Sequence, residues 1–346
     1  MAISETEIAA YIASARQSPR LTHMLGEFSD LATGRKGAPD FPIILDPELL
    51  RHDGLSLQYA KIRERHAGTF NQHFIASLPY VLEEQCRFGA ALLRYGRWID
   101  ETRQRPLDVY TLGDASGVTA RSLTDISQGR IRTLTCSPNR ENEAAFHHGR
   151  PPGSAHFFLG PFFDVSAASL PERGIHDFKG GFDFVIEDTT FQMYGKSRLA
   201  PIQIAAQNLR SDGIFVLLEK FWLPDAEEFA RRERQKDHEF KARFFSREKI
   251  EEKKQTIVHN MDRQLVTLEE LTGSLGELFS TAVIIWNSGN FYTIAASNDA
   301  GNLLNFVNSL TPSATPPEFQ YAELPQILLG DRDLPFAFRE PSLAGD

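Results

Sequence analysis

The apolar positions of this chain change rhythm as the chain proceeds. Residues 3–17 place Ile3, Ile8, Tyr11, Ile12 and Ala15 at helical spacing, with Ser4 and Glu7 in capping-box register. Residues 33–54 are rich in Gly, Pro and Asp and read as loop. Helical periodicity returns from Ser56, and Phe70, Phe74, Leu78, Val81 and Leu82 form a stripe suited to burial, with Pro79 breaking or restarting a helix. Residues 1–105 are therefore expected to form a mainly helical N-terminal cap. From 108 onward, short β-rich runs alternate with helical stretches, the sign of a parallel, doubly wound sheet.

The predicted strands are Val109–Leu112, Arg132–Thr135, His156–Leu159, Phe182–Glu187, Gly213–Glu219, Ala282–Trp286 and Phe291–Ala296. Helices are expected over about 118–128, 139–148, 166–172 and 196–210, with Asp212-Gly213 as a turn before the fifth strand. The final two strands flank a Gly-containing loop and should pair antiparallel. The expected fold is thus α/β, doubly wound and Rossmann-like, with a mostly parallel seven-stranded sheet over 106–300. A helical insertion, 223–278, comes after the fifth strand, where it can act as a lid over the carboxyl edge of the sheet. It is dense in Lys, Arg and Glu, which also suits a solvated helical pair held by i,i+4 ion pairs. The Pro-rich stretch 301–346 is expected to be an extended tail.

Composition narrows the function classes. The chain has 346 residues, a formal charge of −9 and a pI near 5.6, which argues against a broad nucleic-acid surface and leaves room only for a local basic groove. Its 26 Phe suit cores and flat ligands. Two cysteines, Cys86 and Cys136, without a Cys/His cluster, argue against a metal site or disulfide framework. No apolar run spans a bilayer, and the acidic, amphipathic N-terminus is not a signal peptide, so a cytoplasmic protein without membrane contact is expected. Dimerisation through the cap or tail is a further expectation.

The chemistry should concentrate at two strand ends. In DVYTLGDASGVTARSL, from Asp108, a strand runs into a turn holding Gly113, Asp114, Ala115 and Gly117, then into a helix start. Small residues there let a backbone approach a ligand. The fourth strand ends in Glu187 and Asp188, then Thr189, Thr190, Phe191, Gln192, Met193 and Tyr194. Successive strand side chains alternate faces, so one carboxylate is the candidate base or ligand contact and the other caps the next helical turn. Phe191 and Tyr194 suit a pocket wall or core. His147 and His148 read as surface residues near a helix C-terminus. Arg243, in the insertion, suits an anionic group or solvent, and Glu219-Lys220 suits a structural ion pair. No nucleophile elbow is present.

Together, VYTLGDASGVTARSL, LTCSPNREN, FDFVIEDTTFQMY and DGIFVLLEKF resemble, in order, the motifs of the class I S-adenosylmethionine (SAM) methyltransferases. The lead-in with Phe70, Ile75, Ser77, Pro79 and Tyr80, the stretch FKARFFSREKIEEKK and the run WNSGNFYTIAAS resemble the carboxy-SAM synthase branch. The resemblance covers about 68–298. It implies methyl transfer from SAM to a small molecule, with S-adenosylhomocysteine (SAH) as product. Gly113, Asp114, Ala115 and Gly117 would then cradle the methionine end of the cofactor, Ser137 and Asn139 would lie near the ribose, and Phe162 near the adenine. Glu187, Asp188 and Tyr194 would face the acceptor, Glu187 also contacting cofactor, with Tyr80, Gln192 and Arg243 closing the site. The alternatives are a same-fold enzyme that uses SAM differently, such as carboxy-SAM formation, or a degenerate binding or scaffold protein. Three positions depart from the family pattern: Thr111, Thr135 and Pro161 stand where acids are usual.

Overall fold

In the computed structural model, residues 3–17, 19–148 and 151–340 are described. The first two residues of the expected cap, Ser18 within it and the last six of the expected tail lie outside the described residues. Five helices come first: α1 (Glu5–Gln17), α2 (Pro19–Ala32), α3 (Gly54–His66), α4 (Thr69–Ile75) and α5 (Val81–Arg103). After them come β1 (Leu107–Leu112), α6 (Val118–Ser127), β2 (Ile131–Ser137), α7 (Arg140–His148), β3 (Ala155–Leu159), β4 (Phe182–Asp188), α8 (Leu199–Ala206) and β5 (Leu209–Lys220). The insertion holds α9 (Ala226–Gln235), α10 (Arg247–Lys253), α11 (His259–Asp262) and α12 (Leu268–Gly276). The chain closes with β6 (Thr281–Ser288), β7 (Phe291–Ser297), α13 (Ala300–Val307) and β8 (Gln326–Leu329). Among the described residues, no helix is long and apolar enough to cross a membrane.

The sheet runs β3-β2-β1-β4-β5-β7-β6-β8, with β1–β5 parallel and the last three strands antiparallel to their neighbours. Five parallel strands completed by an antiparallel pair match the expected parallel run and terminal hairpin. The eighth strand corrects the expected seven: Gln326–Leu329 pairs with β6 through Ile327↔Val283 and Gln326↔Ile284. Only four residues long and preceded by Pro325, it has too little alternation to stand out in a Pro-rich sequence.

Period-two alternation divides the strands between two cores. Leu107, Val109, Phe184, Ile214 and Val216 face α3, α5, α6 and α13 through Tyr59, Leu92, Tyr95, Leu123 and Phe306. Tyr110, Leu112, Phe182, Val185 and Phe215 face α8 and α12 through Ile202, Ile204, Leu271 and Leu275. Within the first 105 residues, α3 and α5 are a layer of the sandwich, and Gly89 lets α5 sit against Tyr59, where a Cβ would lie 2.4 Å from the ring. Within the insertion, α12 covers the sheet.

Two smaller differences have local causes. The helix expected at 166–172 is replaced by short 3-10 turns, Phe162–Asp164 and Leu170–Arg173, where Pro161 and Pro171 favour tight turns over a continued α-helix. Asp212-Gly213 lies inside β5, at an irregularity where the register against β4 shifts between Phe182 and Phe184. Ser4 and Glu7 cap α1 reciprocally, at 2.8 Å and 3.3 Å. Pro79 separates α4 from α5, with Tyr80 left-handed at φ +59°.

Candidate functional site

The strand order reverses between β1 and β4, and the carboxyl ends of those strands form the floor of two adjoining cavities. Gly113 is required there: its φ is +94°, and a Cβ would lie 2.4 Å from the Asp188 carbonyl and from Thr190 Oγ1. Gly117 is left-handed too, but its Cβ would point away from the cavities, 2.7 Å from the Phe146 ring. Ala115 holds φ +46° and lines the first cavity. Asp114 does not. Its carboxylate accepts from Thr119 N at 3.1 Å and Ala120 N at 2.9 Å, capping α6, and burial raises its pKa despite those bonds.

The first cavity is bounded by Gly113, Ala115, Ser137, Asn139, Asn142, Phe162 and Tyr194. Ser137 Oγ accepts from Asn139 N at 3.2 Å and from Asn142 Nδ2 at 3.0 Å. Asn139 Nδ2 and Asn142 Oδ1 are buried without a protein partner. Phe162 packs on Phe191 and Tyr194, each at 5.3 Å between ring centroids. Thr111 and Thr135, at positions where the family pattern has acids, turn their hydroxyls to the backbone of the adjacent strand, at 3.5 Å and 3.2 Å. Asp164, near Pro161, is paired with Arg16 of α1.

The second cavity shares Phe28, Phe70, Gly113 and Met193 with the first. The two acids ending β4 take different roles, as alternation requires. Glu187 is buried and off the cavity wall: its Oε1 accepts from Phe191 N at 3.0 Å and from Thr190 N, fixing the turn, while Oε2 has no partner. Burial, then the neighbouring Glu219, push its pKa well up. Asp188 faces the second cavity, half-buried, with Oδ1 unpartnered and Oδ2 accepting from Gln85 Nε2 at 3.3 Å. Gln85 in turn accepts from Arg63. Burial and Asp114 raise the Asp188 pKa to about 7, against the pull of Arg63 and Gln85.

Gln192 lines the second cavity beside Asp188, its Oε1 buried and unpartnered. Tyr194 lies in the first cavity and is not with the two acids. Tyr80 and Arg243 belong to neither: Arg243 donates to Glu239 O at 2.8 Å and to the Tyr80 hydroxyl at 3.3 Å, among Phe240 and Phe319. His147 and His148 are exposed at the end of α7. Glu219 and Lys220 do not pair with each other, because they point to opposite faces. Glu219 takes Arg198 at 2.7 Å, and Lys220 takes Glu233 at 2.9 Å and Asp262 at 2.7 Å.

The sequence reading missed Asn142, Gln85, His73 and Lys236, Lys241 and Lys253 of the second cavity, and took Lys220 only as a structural partner of Glu219. Three of the lysines lie in the charge-dense insertion, where i,i+4 spacing fits a solvated surface equally well.

No family model matches the chain, and no curated protein matches it in sequence. Solved structures resemble it in fold. A SAM-dependent methyltransferase from Geobacter sulfurreducens, in complex with SAH, matches at 17% identity and TM-score 0.35 over 59% of this chain and 65% of its own, just under two thirds of its length. The plantazolicin methyltransferase BamL, in complex with a triazolic desmethylPZN analog and SAH, matches at 11% identity and TM-score 0.44 over 73% and 98%. The bifunctional kinase-methyltransferase WbdD matches at 15% identity and TM-score 0.39 over 61% and 39%. Likeness at this level does not extend to chemistry.

Proposed function

We propose that this chain is a SAM-dependent methyltransferase of the class I fold that transfers a methyl group to a small-molecule acceptor and leaves SAH. One observation carries the reading: two cavities meet at Gly113 and Met193, each with buried polar atoms that the protein itself leaves unpaired. Such atoms carry a desolvation penalty unless a ligand satisfies them. The first cavity suits the cofactor. Asn139 Nδ2 and Asn142 Oδ1 offer a donor and an acceptor beside Ser137, where the family pattern would place an acid on the ribose. Phe162 and Tyr194 give an aromatic wall for the base, and Gly113 with Ala115 leaves the turn low enough for the methionine end.

SAM, when bound, supplies a methyl group on a sulfonium, open to in-line attack. The chain has to hold the acceptor in line and keep water out. Phe28, Phe70 and Met193 form the apolar passage between the cavities. Asp188 is the residue we assign to the acceptor: with a pKa near 7, its unpartnered Oδ1 can take a proton from an acceptor hydroxyl, amine or acid carbon. Glu187 positions that end by fixing the turn through Phe191.

Calorimetric titration with SAM and SAH tests the reading. Saturable heat with both is expected, and no heat at millimolar ligand would overturn it. Mass analysis of cofactor recovered from the purified protein separates SAM from a carboxylated derivative.

A further inference from the structure

The second cavity holds one lysine, Lys253, that no carboxylate among the described residues pairs. Lys220 comes from the end of β5, Lys236 and Lys241 from the turns after α9, and Lys253 from the end of α10. Three are partnered by carboxylates. Lys220 lies 2.9 Å from Glu233 and 2.7 Å from Asp262, Lys236 shares Glu233, and Lys241 lies 3.0 Å from Asp237. Lys253 donates to Ser77 Oγ, whose own proton goes to the His73 carbonyl at 2.6 Å. Among the described residues, Lys253 makes no ion pair, and its ammonium nitrogen lies 5.8 Å from the Phe245 ring centre.

The surroundings disfavour a charge on Lys253 until an anion arrives. Burial, then Lys241 and Lys236, hold Lys253 well below the ordinary lysine range, and Asp237 opposes them. His73 of α4 donates Nδ1–H to the Gly37 carbonyl at 2.7 Å. Burial and then Lys253 keep His73 well below its usual range, so it adds no charge near neutral pH. Asp188 faces the same space from β4, and Gln85 and Arg63 stand behind it. Leu31, Phe74, Leu78, Met261 and Phe291 supply an apolar wall, and Thr189 and Gln192 add polar groups beside Asp188.

We propose that the second cavity binds an acid with an apolar body and a single carboxylate, the carboxylate seated at Lys253 beside Lys241 and the body against Phe74, Leu78 and Phe291. A lysine with no paired carboxylate, able to take up one proton, suits one arriving carboxylate, and a phosphate dianion would bring a second charge that no group there matches. The acid site stands on the lysines alone; its identity as the methyl acceptor rests on the function proposed above.

Calorimetry on the full chain tests it, with phenylacetate as probe, phenylacetamide and phenyl phosphate as comparisons, and each titration repeated with SAH. Phenylacetate should bind about ten- to a hundredfold more tightly than the amide, the range of one charge-assisted hydrogen bond. Its heat should vary with the ionisation enthalpy of the buffer, because the arriving carboxylate draws a proton onto Lys253. Lys253→Met should remove both the preference and the buffer dependence, Lys253→Arg should keep the preference, and SAH affinity should be unchanged in both. Equal affinity for acid and amide in the unaltered protein would overturn the proposal, as would a full preference in Lys253→Met. Tighter binding of phenyl phosphate would overturn the choice of a monoanion. Absence of SAH binding with phenylacetate binding intact would sink the cofactor reading and leave the acid site standing.

Discussion

Asp188→Asn exchanges one carboxylate oxygen for an amide and removes one titration from the second cavity. The carboxylate is held at about 7 in the fold against 3.8 in the open chain. At roughly 1.36 kcal/mol for each pH unit between those two values, the difference is on the order of 4 kcal/mol. The sign depends on which state holds the proton. Between about pH 4 and pH 7 the folded protein keeps it and the unfolded chain has lost it, so folding stability falls as pH rises through that window and levels off above it. The asparagine of the variant has no proton to lose and can still accept from Gln85. Its advantage over Asp should therefore be small near pH 4 and largest above pH 7, and from pH 5 to pH 8 it should grow by roughly 3 kcal/mol. Urea unfolding of both proteins at the two pH values, monitored by the fluorescence of the three Trp, measures this difference. An advantage of the same size at both values would refute the reasoning, because it would show that Asp188 titrates as a solvated acid.

Gly113→Ala should remove SAM and SAH binding, because a Cβ at φ +94° and 2.4 Å from the Asp188 carbonyl cannot be placed without moving the β1 turn; SAH calorimetry alongside thermal unfolding separates lost binding from lost fold. Arg198→Met should lower stability by about 3–5 kcal/mol, because it leaves Glu219 buried and unpaired beside Glu187. The double variant Arg198→Met/Glu219→Leu should recover much of that loss in denaturant unfolding.

The strand ends were legible in the sequence because their chemistry is local. Val109–Leu112 running into Gly113 announces a strand and a tight turn, and Glu187-Asp188 at a strand end announces two acids on opposite faces. What was not legible depends on which distant residues meet. Asp114 reads as a ligand contact in a glycine turn, yet the N–H groups of Thr119 and Ala120 claim it first. Arg243 and Lys253 carry the same charge in the same insertion. The path of the insertion puts Arg243 against Tyr80 and Lys253 against Ser77, and nothing in their local spacing separates the two outcomes. Similarly, α5 has the periodicity of any amphipathic helix; only the strands it covers make it part of the sandwich.

The short strand β8 bears on how the molecule behaves among its own copies. Without it, β6 would end the sheet, and β6 is Thr-Ala-Val-Ile-Ile-Trp-Asn-Ser, buried along its whole length. Its unpaired N–H and C=O groups, flanked by apolar side chains, would be a template for another chain. Gln326–Leu329 takes that place and offers a much shorter rim, interrupted by Pro325 on one side and by Gly330 at φ +102° on the other. Trp286 Nε1 donates to Thr315 Oγ1 at 2.8 Å, which holds the incoming tail against the strand it shields. Residues 310–330 thus act as a guard on solubility, and a chain cut before them would expose a sticky border to its neighbours.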